Sequence, residues 1–206
     1  MPLQNRVTPF GEIVAHPARG MFMGNRGILH DSARHLHPAR RWTHKSWICC
    51  LCAFKGRRRV PMTPGRYTEL FFLDEATALA AGHRPCFECR RADAQRFTAA
   101  WSDGNGTSSP SAKDMDAVMH GERLDRRKKR LHPLPAPPGA LPDGAMVADE
   151  NGAYLVLNGE LLPWSFDGYA PPVSDLSEPK LLTPPSIVGA LAGGYRPALH
   201  PSARGD

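Results

Sequence analysis

Tyr67-Thr-Glu-Leu-Phe-Phe-Leu-Asp-Glu-Ala-Thr-Ala-Leu-Ala-Ala-Gly-His-Arg-Pro-Cys86-Phe-Glu-Cys89 is the stretch on which the reading of this chain turns. Tyr67 to Phe72 are aromatic or β-tolerant residues and predict a strand. Asp74 is a good N-cap for the helix that follows. Ala76, Leu79 and Ala80 recur there at helical spacing, and Gly82 supplies the left-handed residue that stops the helix before Pro85. Cys89 opens a second helical pattern, with Ala94, Phe97 and Trp101 on one face. The Cys-x-x-Cys pair is therefore expected at a helix N-terminus, where amide dipoles favour thiolate.

Upstream lies Cys49-Cys50-Leu51-Cys52, and all five cysteines of the chain fall in these two clusters. Two Cys-x-x-Cys pairs supply the four thiolates of a closed tetrahedral site, and thiolate sulfur suits Zn²⁺. The expected ligands are Cys49, Cys52, Cys86 and Cys89. Cys50 is then a spare thiol, or takes the place of Cys49 if Cys49 points into the core. Such a site ties together segments separated by 33 residues, and structural zinc can contribute on the order of 10 kcal/mol to folding. A closed four-thiolate site has no open position for water, which favours a structural over a reactive zinc. A disulfide framework is the competing reading. The few cysteines and the lack of an apolar leader stretch weigh against it and make a cytoplasmic protein the expectation.

Strand, Asp-Glu-Ala cap, small-residue helix and Ala80-Ala-Gly-His-Arg-Pro-Cys86-x-x-Cys89-Arg together resemble the Ada-type zinc-binding domain of DNA alkylation-repair proteins, over about residues 47–97. The resemblance implies a Cys₄ zinc domain that binds DNA. It also implies a zinc-bound cysteine of the first pair, Cys49 or alternatively Cys50, that accepts a methyl group from a phosphotriester. This chain departs from the pattern in the first cluster, where two residues rather than three separate the paired cysteines. It also lacks the helix-turn-helix module and the Pro-Cys-His-Arg motif found beside such domains.

Charge points to an anionic partner, since the formal net charge is +6. Lys55, Arg57, Arg58 and Arg59 lie just beyond the first cluster, and Arg90 and Arg91 follow the second. Arg26 to Arg59 holds nine Lys or Arg and a single acid, Asp31, interleaved with Trp42, Trp47 and Phe54. Basic residues among aromatics suit phosphates and bases, so nucleic acid, DNA in the first place, is the expected partner. The alternative is a solvated basic face.

Four of the nine histidines, His30, His35, His37 and His44, fall within 15 residues. With Asn25 nearby they offer an alternative reading as an HNH-like, metal-dependent nuclease, with His as general base and a second divalent ion. Surface or core histidines are the plainer reading. A third possibility is a zinc-stabilised adaptor that binds another protein.

The remainder divides by composition. Residues 1–46 form a basic, His-rich segment and residues 47–101 the zinc module. Ser111 and Asp114 make a capping box for a basic helix, expected over 111–132 and ending in Arg123-Leu-Asp-Arg-Arg-Lys-Lys-Arg130. A Pro-rich connector, 133–143, follows. In 144–206 three short strands are expected, the last two joined by Asn158-Gly159, then a short helix and a frayed end from His200. No run is long and apolar enough to span a membrane. The expected fold is α+β: a zinc-centred module of one strand and two helices, a basic helix and a C-terminal β-meander.

Overall fold

The computed structural model describes residues 1–57 and 60–204. It is an α+β fold built on two sheets. The first contains β1 (Gln4–Val7), β2 (Ile13–Ala15), β3 (Phe22–Asn25), β4 (Ile48–Leu51), β5 (Leu70–Phe72) and β6 (Arg84–Pro85), in the order β2-β1-β5-β3-β4-β6. β1 runs parallel to β5 and β4 parallel to β6, while the other pairings are antiparallel. The stretch expected only to be a basic segment thus contributes three strands to the sheet that carries the first cysteine cluster. Gly24 on β3 lets the sheet close there: a Cβ would stand 2.2 Å from the Ile48 carbonyl oxygen and 2.9 Å from the Phe72 ring.

Between β5 and β6 runs α1 (Glu75–Ala80), capped as its sequence predicts: the Thr77 amide donates to Asp74 Oδ1 at 2.9 Å. Gly82 follows in the left-handed region, φ 86°. α2 (Arg91–Asn105) buries Ala94, Phe97 and Trp101, and α3 (Ala112–Arg123) opens on the Ser111/Asp114 capping box. α3 ends seven residues before the expected Arg130. Arg123 is drawn into the core, donating to the carbonyls of Gly82 (2.7 Å) and Lys45 (2.6 Å). The chain then turns at Arg126, φ 55°, pairing β7 (Leu124–Asp125) with β8 (Lys128–Lys129).

The second sheet is the expected meander, β9 (Met146–Asp149), β10 (Gly152–Leu157) and β11 (Glu160–Ser165), extended by β12 (Gly168–Tyr169) and β13 (Lys180–Leu181) in the order β12-β11-β10-β9-β13. Asn158 (φ 52°) and Gly159 (φ 80°) make the two-residue hairpin turn. α4 (Pro185–Ala192) packs its buried face with the meander against α2 and α3. One cluster joins Phe97, Trp101, Met115, Val147, Ile187 and Leu191. Each apolar side chain of that size removed from water stabilises the fold by about 1.5–3 kcal/mol. The C-terminal residues through Arg204 are packed rather than frayed. Ala203 is buried, Ser202 Oγ accepts from the Tyr169 amide at 2.8 Å, and the His200 amide donates to Asp74 Oδ2 at 3.1 Å. Among the described residues no helix is long and apolar enough to cross a membrane.

Candidate metal centre

Side chains alternate between the faces of a strand, so Cys49 and Cys50 on β4 must point apart. Register fixes which goes where: Cys49 lies opposite Gly24 and Cys50 opposite Met23 on β3, with Cys49 beside Pro85 on β6. Cys49 enters the core among Phe22, Leu70 and Phe72 and is fully buried. Cys50 faces a cleft. Cys86, at the end of β6, and Cys89, in the turn before α2, face the same cleft, and the three sulfurs lie within 4.8 Å of one another. It is the only such group of three ligating side chains among the described residues.

Of the four expected ligands, Cys86 and Cys89 belong to this group; Cys49 and Cys52 do not. Cys50, the spare thiol of the spacing argument, takes the position expected of Cys49. Cys52 lies beyond the end of β4, exposed at the same cleft, its thiol 3.4 Å from the Met21 carbonyl oxygen.

The donor set fits a thiophilic metal. The Leu51 amide donates to Cys89 Sγ and the Glu88 amide to Cys86 Sγ, each at 3.4 Å. Amides aimed at sulfur are the outer contacts that thiolate ligands use. Hydrogen bonding from Cys50, with the Cys89 and Glu88 amides behind it and burial opposing, holds Cys86 at about 5; the Cys50 hydrogen bond also lowers Cys89, while these same contacts push Cys50 up. The contacts among the three sulfurs thus favour thiolate at Cys86 and Cys89 over Cys50, and a bound cation would favour thiolate at all three. These three cysteines can hold a metal ion.

The basic residues named from the sequence divide. Lys55 and Arg57 are exposed, and Arg57 pairs with Glu88 at 2.8 Å on the cleft rim. Arg91 is exposed at the start of α2. Arg58 and Arg59 lie outside the described residues. Arg90 is withdrawn from the surface: its side chain, 3% exposed, forks onto Glu75 at 2.7 and 2.8 Å, and reaches Asp93 at 2.8 Å and Cys49 Sγ at 3.5 Å. A guanidinium so paired is a structural strut. Arg66, which nothing in the sequence pattern singles out, lines the cleft with Phe54, Tyr67 and Phe71.

The four histidines do not converge. His30 is buried, with Nδ1 2.6 Å from Thr68 Oγ1 and Nε2 3.2 Å from the Thr63 carbonyl oxygen. His35 lies beside Asp31 at 3.7 Å, His37 Nδ1 accepts the Ala39 and Arg40 amides, and His44 is exposed. These contacts shape a loop.

The chain matches no family model, no curated protein and no solved structure.

Proposed function

We propose that the chain is a zinc-binding, nucleic-acid-binding protein, with DNA as its partner, in which Cys50, Cys86 and Cys89 hold the ion at the floor of the cleft. The observation that carries the metal is the convergence of three sulfurs within 4.8 Å. Three thiolates favour zinc over hard cations such as Mg²⁺ or Ca²⁺. Cys52, exposed at the mouth, is the candidate fourth donor and would close the site as Cys₄.

Support for nucleic acid comes from the walls of that cleft and the face beside it. Arg57 and Arg66 stand among Phe54, Tyr67 and Phe71, which combines phosphate contacts with stacking surfaces. Lys55 and Arg91 add exposed charge, and Arg58 and Arg59 follow Arg57 in the sequence. Arg90 has no part in it.

The resemblance to Ada-type domains motivates a repair role within the same proposal. In that role a cysteine thiolate would attack the methyl carbon of a methyl phosphotriester, the S–C bond forming as the C–O bond breaks and the phosphodiester leaving as an anion, and a zinc held by the cysteines would keep the thiolate deprotonated. Cys49, sealed in the core, is poorly placed for this, and Cys50, which faces the cleft, is the acceptor to test. Native mass spectrometry before and after incubation with duplex DNA carrying a methyl phosphotriester, followed by peptide mapping, tests both parts. One zinc and one methyl on Cys50 supports the whole reading. One zinc without methyl removes the repair role and leaves binding to be tested by its salt dependence.

A further inference from the structure

On elements other than those of the cysteine cleft, a second cavity of about 740 Å³ lies between β2, the Arg41-Trp42 loop and the β7–β8 hairpin. Its wall shares no residue with that cleft. Six cations line it, Arg26, Arg41, Arg123, Arg127, Lys128 and Lys129, against one carboxylate, the exposed Glu12.

The two innermost cations are the unusual feature. Arg26 is 2% exposed and Arg123 1%, and both guanidinium carbons lie over the Trp47 ring, at 4.0 and 3.8 Å from its centroid. Among the described residues neither forms an ion pair with a carboxylate, although Asp116 lies near enough to favour the charge on Arg123. Arg26 Nε donates to His83 Nε2 (3.3 Å) and Nη1 to the Gly11 carbonyl (2.9 Å), while Nη2 has no partner among the described residues and lies beside Gly11 in the cavity wall. Arg123 spends Nη1 and Nη2 on the carbonyls of Gly82 and Lys45, with Nη2 also 3.1 Å from His120 Nδ1, and its Nε has no partner among the described residues. The nearby acids are otherwise engaged. Asp116 holds Arg84 through two hydrogen bonds of 2.8 Å, and Glu122 Oε2 accepts from the Ser186 amide and hydroxyl. Among the described residues Lys129 Nζ donates to the Ala80 carbonyl alone, with Glu122 acting on it at longer range.

Buried charges in folded proteins are paired or bound to a counter-ion. Here the described residues supply six cations to the wall against one carboxylate, the exposed Glu12, while Asp116 and Glu122 act on the cluster from outside the wall. Burial, with mutual repulsion behind it, lowers Arg26 and Lys129, the latter to about 7 with Glu122 opposing, and burial holds Arg123 at about 9 although Asp116 opposes it. An anion in the cavity would reverse these shifts.

We propose that this cavity binds the terminal phosphate of a phosphomonoester. Guanidinium forks suit phosphate oxygens, and the several cations around one floor suit a dianion better than the single charge of a backbone phosphodiester. Depth argues the same way. Arg26 and Arg123 lie below the rim, 2% and 1% exposed, which favours a group that enters end-on over a strand that passes across it. The cavity exceeds a phosphate in size, and Trp42, Phe10 and Leu131 on its walls offer apolar surface to the body of the ligand. Exposed Arg127 and Lys128 flank the entrance.

The test is isothermal titration of the full-length protein at constant ionic strength with inorganic phosphate, a nucleoside 5′-monophosphate, and an oligonucleotide with either a 5′-phosphate or a 5′-hydroxyl. Saturable one-to-one binding of phosphate is expected, weakened tenfold or more in Arg127→Gln/Lys128→Gln and in Lys129→Met, and unchanged in Lys113→Gln on the exposed start of α3. Tighter binding of the monophosphate assigns the site to small phosphorylated ligands. A preference for the 5′-phosphorylated oligonucleotide assigns it to nucleic-acid ends. The rim double variant keeps the test decisive if Lys129→Met fails to fold. Absence of saturable phosphate binding, or binding indifferent to the rim and Lys129 substitutions, overturns the proposal. None of these outcomes depends on whether the cysteines hold zinc.

Discussion

Cys49 and Cys50 are chain neighbours that the pleat of β4 sends to opposite sides of the sheet. Cys49 Sγ lies 3.5 Å from buried Arg90, and Cys50 Sγ lies within 4.8 Å of Cys86 and Cys89. In the presence of a chelator, an alkylating reagent should reach exposed Cys52 first and Cys49 last, Cys49 only as fast as the protein unfolds. Mass mapping over time reads the order; early modification of Cys49 would contradict the assigned faces.

The Arg90–Glu75 fork is buried on both sides, 3% and 1% exposed, and Glu75 also accepts from the Tyr195 hydroxyl at 2.7 Å and the Ala198 amide at 2.9 Å. Burial opposes the charge on Arg90, but Glu75 outweighs it and raises Arg90 above its ordinary range. Removing one partner of such a pair costs about 3–5 kcal/mol. Glu75→Leu should therefore lower unfolding free energy by about that amount in urea denaturation, and also loosen the C-terminal segment. A loss below about 1 kcal/mol would mean that the pair is not the strut described.

Lys129 gives a pH signature. Its ammonium titrates near 7 in the fold, against 10.5 unperturbed, because of burial first and Arg26 and Arg123 second, with Glu122 opposing. Between those values the unfolded chain binds a proton that the folded chain does not, so this group makes stability rise with pH across the window. Below about 7 it is protonated in both states and contributes no slope. The comparison that isolates it is wild type against Lys129→Met, unfolded in urea at pH 6 and pH 9. The variant should gain less stability on going from pH 6 to pH 9 than the wild type. Equal gains would place the ammonium in water.

DNA binding through the cleft face should weaken steeply with salt, each phosphate contact adding roughly one unit to the log–log slope. Arg57 is free to contribute, since its pair with Glu88 joins side chains 61% and 59% exposed, and such exposed pairs are worth only about 0–1 kcal/mol. Replacing Arg57, Arg58 and Arg59 by Ala should flatten the slope by roughly one unit for each phosphate these side chains hold. Salt-independent binding measured by fluorescence anisotropy would instead favour a protein-binding adaptor.

What was legible in the sequence was local. Asp74, Gly82, Ser111 and Asn158-Gly159 each carry a backbone requirement within a few residues, and the structure meets all four. The Cys49/Cys50 choice was not legible, because it depends on the register of β4 against β3, and β3 contains only Phe-Met-Gly-Asn with no alternation to mark it as a strand. Arg90 read as surface charge because its partner, Glu75, is brought to it by the turn through β6. The basic hairpin read as a helix tail for a similar reason: Arg123 is claimed by carbonyls 41 and 78 positions away. The cation-lined cavity has no local spacing at all, since Arg26 and Lys129 meet only in the fold.

Zinc content of the purified wild type, Cys49→Ala and Cys50→Ala, read by native mass spectrometry, tests the central claim most directly. The account predicts one zinc in the wild type, retained in Cys49→Ala and lost or readily stripped in Cys50→Ala. No zinc in the wild type, or zinc held by Cys50→Ala and lost from Cys49→Ala, would contradict it.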